Sequence, residues 1–154
     1  MMFIKNGLKC MNEIKIIIDN DVINEYAEYY FKQHPKARKK PIERPTIPSL
    51  NTWIILPRPQ MNALKQKHKD FGVWLINKLG LQDRQLDKFE MEFSIYMPTK
   101  RRSDNDNFVP KFILDAFTES GFIVDDDNKH LTKLIITSGY DKENPRTEIK
   151  VNIL

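Results

Sequence analysis

Apolar and polar positions alternate most strictly over Phe89–Met97, where Phe89, Met91, Phe93, Ile95 and Met97 interleave with Glu90, Glu92, Ser94 and Tyr96. A period of two predicts a strand with one buried face, and Pro98 ends it. Two more strands are predicted at about 131–137 and 146–153, the second alternating Thr147, Ile149, Val151 and Ile153, with Tyr140–Pro145 as the turn between them. The β-branched run Ile14–Ile18 predicts a short first strand, and Asp19-Asn20-Asp21 after it is good helix-capping material.

Helical spacing follows. Ile23, Tyr26, Ala27, Tyr30 and Phe31 recur along Val22–Gln33, so Tyr26 and Tyr30 are read as packing residues. Pro35, Pro41, Pro45 and Pro48 then exclude regular helix, leaving an extended basic connector or, equally, a flexible arm. Leu64, His68, Phe71, Leu75 and Leu79 form one stripe of a helix from about Asn62, which Gly80 terminates. His68 on that stripe reads as a partly buried structural residue, because nothing at ligand spacing accompanies it. A last helix is predicted from about Asn107 to Ser120, with Pro110 in its first turn and Gly121 closing it. This order predicts a single α+β domain with a mixed or largely antiparallel sheet packed with helices.

Composition narrows the class. With 154 residues the chain can bury a core without disulfides, and 30% charged residues suit a globular protein. Cys10 is the single cysteine, the N-terminus lacks the apolar run of a signal peptide, and no stretch reaches the roughly 18 apolar residues of a membrane span. A cytoplasmic location with no membrane partner is expected. The net charge of +4 matters less than its placement. Lys36, Arg38, Lys39, Lys40 and Arg44 form one basic cluster, Arg58, Lys65, Lys67 and Lys69 a second, and Lys100, Arg101 and Arg102 a third. Gathered on one side they would suit phosphates; separately they are ordinary solvated surface.

Two acidic segments carry the candidate chemistry: Asp104-Asn105-Asp106-Asn107, wedged behind Lys100-Arg101-Arg102, and Asp125-Asp126-Asp127, directly after Phe122-Ile123-Val124. Crowded carboxylates need a cation to offset their repulsion, and hard divalent ions use oxygen ligands. In an extended segment Asp104 and Asp106 would project to the same side. The histidines are not at zinc spacing. An EF-hand fails, since Val109 stands where its glycine belongs and Asp115 where its glutamate does. Both segments could instead be nothing more than capping loops and turns.

The series Arg102-Ser103-Asp104-Asn105-Asp106-Asn107, Lys111, Asp115-Ala116-Phe117, Gly121 and Val124-Asp125-Asp126 resembles the RusA family of phage and bacterial Holliday junction resolvases. Ile47-Pro48-Ser49-Leu50-Asn51 is similar to that family's P-S-x-N segment. The likeness is strong over about 100–127, weaker over 47–99, and does not extend to 1–45, which is set apart as an N-terminal extension to a nuclease domain spanning 46–154. It implies catalytic, metal-binding acids at Asp104, Asp106 and Asp126, with Asp125 or Asp127 as substitutes for the last. It also implies a catalytic lysine at Lys111, one position further from Asp106 than in the simplest motif, with Pro110 as the extra residue. A homodimer follows from the family and from the near two-fold symmetry of a four-way junction.

The resulting expectation is a Mg2+-dependent endodeoxyribonuclease, with Mn2+ as a substitute, that hydrolyses phosphodiesters of branched DNA in recombination and repair. Lys100, Arg101 and Arg102 would grip the backbone, and Asn107 would orient a ligand or cap the helix. The rivals are a nuclease for other branched DNA and a non-catalytic nucleic-acid-binding or regulatory protein of phage origin.

Overall fold

Asp19 closes the first strand and opens the first helix with one side chain: its Oδ1 accepts from the Val22 N–H at 3.0 Å. The computed structural model describes residues 12–101 and 104–154. Its elements in chain order are β1 (Glu13–Asp19), α1 (Asn20–Gln33), α2 (Leu50–Ile54), α3 (Arg58–Lys78), β2 (Phe89–Met97), a 3-10 turn (Asn105–Asn107), α4 (Lys111–Glu119), β3 (Leu131–Tyr140) and β4 (Arg146–Ile153).

The four strands form one mixed sheet in the order β1-β4-β2-β3. β4 runs antiparallel to both β1 and β2, placing Ile149 opposite Ile16 on one side and Phe93 on the other. β2 and β3 are parallel. Residues 140–145 are therefore not a hairpin turn between adjacent strands; they carry the chain past the end of β2, which lies between β3 and β4. β2 and β4 are the two inner strands, and their inward residues are almost fully buried, with Phe89, Phe93, Ile95, Ile149 and Val151 each at 0% exposure. A parallel neighbour then requires a crossover, and the α4 segment supplies it.

Helices and sheet share one apolar cluster, which joins Ile16, Ile23, Phe71, Leu75, Ile76, Phe93, Phe117, Ile149 and Val151 among others. β1 and α1 are part of that sheet and that core. On the opposite sheet face Lys15 pairs with Glu148 and Lys150 with Glu92, so that face is polar. The architecture is α+β, helices against one side of a four-stranded sheet.

Several local expectations change. The proline-rich connector is anchored rather than free, since Ile42 is buried in the core and the buried Thr147 hydroxyl donates to the Pro45 carbonyl at 2.8 Å. α3 starts a turn early, at Arg58, because Pro59 sits in the first turn, where its missing N–H costs little. Leu79 falls off the stripe as the C-cap and is exposed, and Ile76 is buried instead. α4 starts at Lys111 rather than Asn107, because Phe108 is extended and bridges to Ser49. Tyr26 is buried as expected, edge-on to Phe71, while Tyr30 is half-buried against His34.

Two glycines fix the position of α4. A Cβ at Gly72 would lie 2.4 Å from the Ala116 Cβ, so only glycine lets α3 and α4 approach this closely. Gly121, at φ +84, makes the left-handed turn that ends α4 beside Asp83. No helix among the described residues is long and apolar enough to cross a membrane.

Candidate active site

The first acidic segment is built by its asparagines. Asn107 donates from Nδ2 to Ser49 Oγ at 2.9 Å and accepts on Oδ1 from the Asn51 N–H at 3.1 Å. It thereby caps a helix, but α2 rather than α4, and both ends of its amide are committed to the scaffold. The Val109 N–H donates to the Pro48 carbonyl at 3.0 Å beside it. Asn105 accepts on Oδ1 from Ser138 Oγ at 2.5 Å, pinning the loop to β3. Asp104 and Asp106 are left exposed. Because residues 105–107 form a 3-10 turn, the premise of an extended Asp104–Asp106 pair does not hold. At three residues per turn, positions two apart do not share a face.

The second segment follows Phe122 and Ile123, both buried, and the Val124 N–H donates to the Leu86 carbonyl at 3.0 Å. Asp125 accepts on Oδ1 from the Asp126 N–H at 2.8 Å. Asp127 accepts on Oδ1 from the Lys129 and His130 N–H groups at 3.0 and 3.1 Å and lies 2.6 Å from His130 Nδ1. That hydrogen bond to His130, chiefly, holds the Asp127 carboxyl below the usual carboxylate range. Asp127 is a turn cap.

Asp126 is different. Partial burial, then the hydrogen bond with Asp125 and the fields of Asp115 and Asp125, push its carboxyl above the usual range. Asp115, on α4, thus belongs to the same electrostatic neighbourhood. Its Oδ1 also lies 3.6 Å from Lys111 Nζ, one helical turn back. The sequence placed Asp115 in the family motif and in the failed EF-hand comparison without giving it a role; the signal that could have found it was its four-residue spacing from Lys111 on one helix face.

Lys100 extends over the Tyr140 ring at 5.3 Å, and Arg101 is exposed. Arg102 lies outside the described residues. His68 has the structural role expected: burial pushes its pKa down, and its Nδ1 lies 3.0 Å from the Leu64 carbonyl. Trp53 is held through Nε1 to the Met61 carbonyl at 3.4 Å and packs edge-on to Phe112.

Among the described residues no three His, Cys, Asp or Glu side chains are arranged to hold a metal ion. The structure therefore does not gather Asp104, Asp106 and Asp126 into a ready trio. The Leu131 N–H donates to the Asp127 carbonyl, whereas Ser138 holds Asn105, so the two segments are tied to different parts of β3. The donor set nevertheless fits a hard divalent cation: every candidate is a carboxylate, and the crowding around Asp126 is the kind a cation relieves.

A family model described as Endodeoxyribonuclease RusA matches residues 12–152 of the chain. That span includes β1 and α1, which the motif resemblance did not reach. No curated protein matches the chain.

Proposed function

The chain belongs to the RusA family of endodeoxyribonucleases and is a hydrolase acting on DNA; from that premise we propose that it is a magnesium-dependent Holliday junction resolvase, working as a homodimer in recombination and repair. The observation that carries the reading is the arrangement about α4. The acidic loop 104–107 precedes the helix, Lys111 and Asp115 pair on its first turns, and Asp115 shares its field with Asp126.

Asp104, Asp106 and Asp126 would supply the ligand oxygens for the cation. When bound, a divalent ion supplies Lewis acidity and a water of lowered pKa. Asp115 holds the Lys111 ammonium, which is 63% exposed and within reach of a phosphate oxygen, where its charge would oppose the negative charge that develops in the transition state. Lys100, Arg101 and Arg102 contact the backbone, so orientation comes from phosphates and selectivity from the shape of the junction. Asn107 acts on the scaffold, fixing the acidic loop against residues 49–51.

The test compares labelled four-way junction, flap and linear duplex DNA, each with Mg2+ or Mn2+ and with EDTA. Paired nicks in opposed strands of the junction, lost in EDTA, are expected. Preferential flap cleavage would replace the substrate assignment. Junction binding without cleavage in either metal would leave a binding protein.

A further inference from the structure

The connector between α1 and α2 brings a basic residue to the segment that follows β2, from a part of the chain the family motif does not include. Its path is fixed from within: Ile42 is buried in the core, and the Pro45 carbonyl accepts from the buried Thr147 hydroxyl at 2.8 Å. Arg44 lies between these two anchors and is exposed. It lines a groove of about 470 Å3, opposite the exit of β2, whose other side is made by Met97, Thr99 and Arg101. Among the described residues neither Arg44 nor Arg101 forms an ion pair. Glu43 is the one acid on the rim, leaving a net positive lining.

Met97, Thr99 and Arg101 also line a second depression with Lys100, Ser138 and Tyr140. The segment 97–101 thus borders both depressions. The second also includes Ser138, whose hydroxyl donates to Asn105, the residue between Asp104 and Asp106. Arg146, the neighbouring cation at this end of the sheet, is not available to a ligand. It is bound by Asp141 at 2.8 Å and Glu148 at 2.6 Å and lies over the Tyr96 ring.

We propose that Arg44 and Arg101 form a two-sided phosphate clamp that holds the backbone of the DNA strand running to or from the acidic loop. The clamp rests on the nucleic-acid reading above. It joins the first and third basic clusters of the sequence across the groove. Because buried Ile42 and Pro45 fix the backbone on both sides of Arg44, only the side chain has to be ordered when the phosphate arrives.

The experiment measures binding of a labelled four-way junction in EDTA by fluorescence anisotropy over a series of salt concentrations. Wild type, Arg44→Ala, Arg44→Lys and Arg101→Ala are compared, with Arg84→Ala as the control from the loop at the other end of β2. Loss of one phosphate contact lowers the salt slope by about 0.9. Arg44→Ala is expected to show that drop and a roughly tenfold weaker affinity at low salt, the magnitude of a lost charged contact. Arg44→Lys should restore the slope, and Arg84→Ala should match wild type. An Arg44→Ala slope equal to wild type, with Arg101→Ala reduced, overturns the clamp. So does a loss in Arg44→Ala that lysine fails to restore, which would mark a packing role. If wild type binds in a salt-dependent way but never cleaves, the resolvase reading fails while the clamp is still decided by these slopes. If wild type shows no salt-dependent binding, both fall.

Discussion

The two aspartate-rich segments look alike in sequence, but the structure uses them in opposite ways. In the 104–107 loop Asn105 bonds Ser138 and Asn107 bonds Ser49 and Asn51, while Asp104 and Asp106 stay exposed. In the 125–127 turn it is the aspartates that bond the backbone: Asp125 caps Asp126, and Asp127 caps Lys129 and His130. Only Asp126 is left with a crowded carboxyl of raised pKa. The number of carboxylates in a segment is therefore a poor guide to its chemistry. What sets Asp126 apart in its turn is partial burial beside Asp125 and Asp115.

That contrast sets an order of expected effects. Asp126→Asn should abolish junction cleavage, whereas Asp127→Asn should cleave at close to the wild-type rate and show its cost in a lower melting temperature. The reverse result would mean that the capping residue is the ligand. Lys111→Ala should slow cleavage by about a hundredfold to a thousandfold, the scale of one charge-stabilising group, with the urea midpoint unchanged because the side chain is exposed. An unchanged single-turnover rate would remove Lys111 from the site. Gly72→Ala attacks both segments together by pushing α4 off α3. An overpacked contact of this kind costs about 1–3 kcal/mol, read by urea unfolding, and no loss would show that the helices can separate freely.

Glu148 supplies the smallest and sharpest contrast, an acid paired with cations rather than crowded by acids. Hydrogen bonding from Arg146, chiefly, and then from Lys15 holds its carboxyl below the ordinary value. A depressed folded pKa means that the stabilisation is fully present above the unfolded value of about 4.3 and is lost as pH falls through the folded pKa. Melting temperatures taken from pH 5 to pH 3 should fall less steeply for Glu148→Gln than for wild type. Parallel curves would show that the pair contributes nothing to acid sensitivity.

Much of this molecule was legible in local patterns. β2 could be read along its length because Phe89, Met91, Phe93 and Ile95 are buried on one face, and period two records that directly. The start of α4 could not, because Phe108 is drawn into an extended bridge by Ser49, a partner far away in sequence. The same holds for the sheet order. Nothing local to 140–145 says that β2 will lie between the strands it connects, since that follows from the long-range pairing of β2 with both β3 and β4. At the site, Asp104, Asp106 and Asp126 stood out by motif. The commitment of Asn107 to Ser49 and Asn51, and the field of Asp115 on Asp126, are long-range facts without a local signature.

The central claim is that acids from the two segments, set apart along β3, act as one catalytic site. Single-turnover cleavage of a labelled four-way junction in Mg2+ by Asp106→Asn, Asp126→Asn and the double variant tests it most directly. Residues that act as a unit are non-additive, so each single variant should be as inactive as the double, with junction binding kept in all three. Wild-type cleavage by either single variant, or losses that simply multiply in the double, would contradict it.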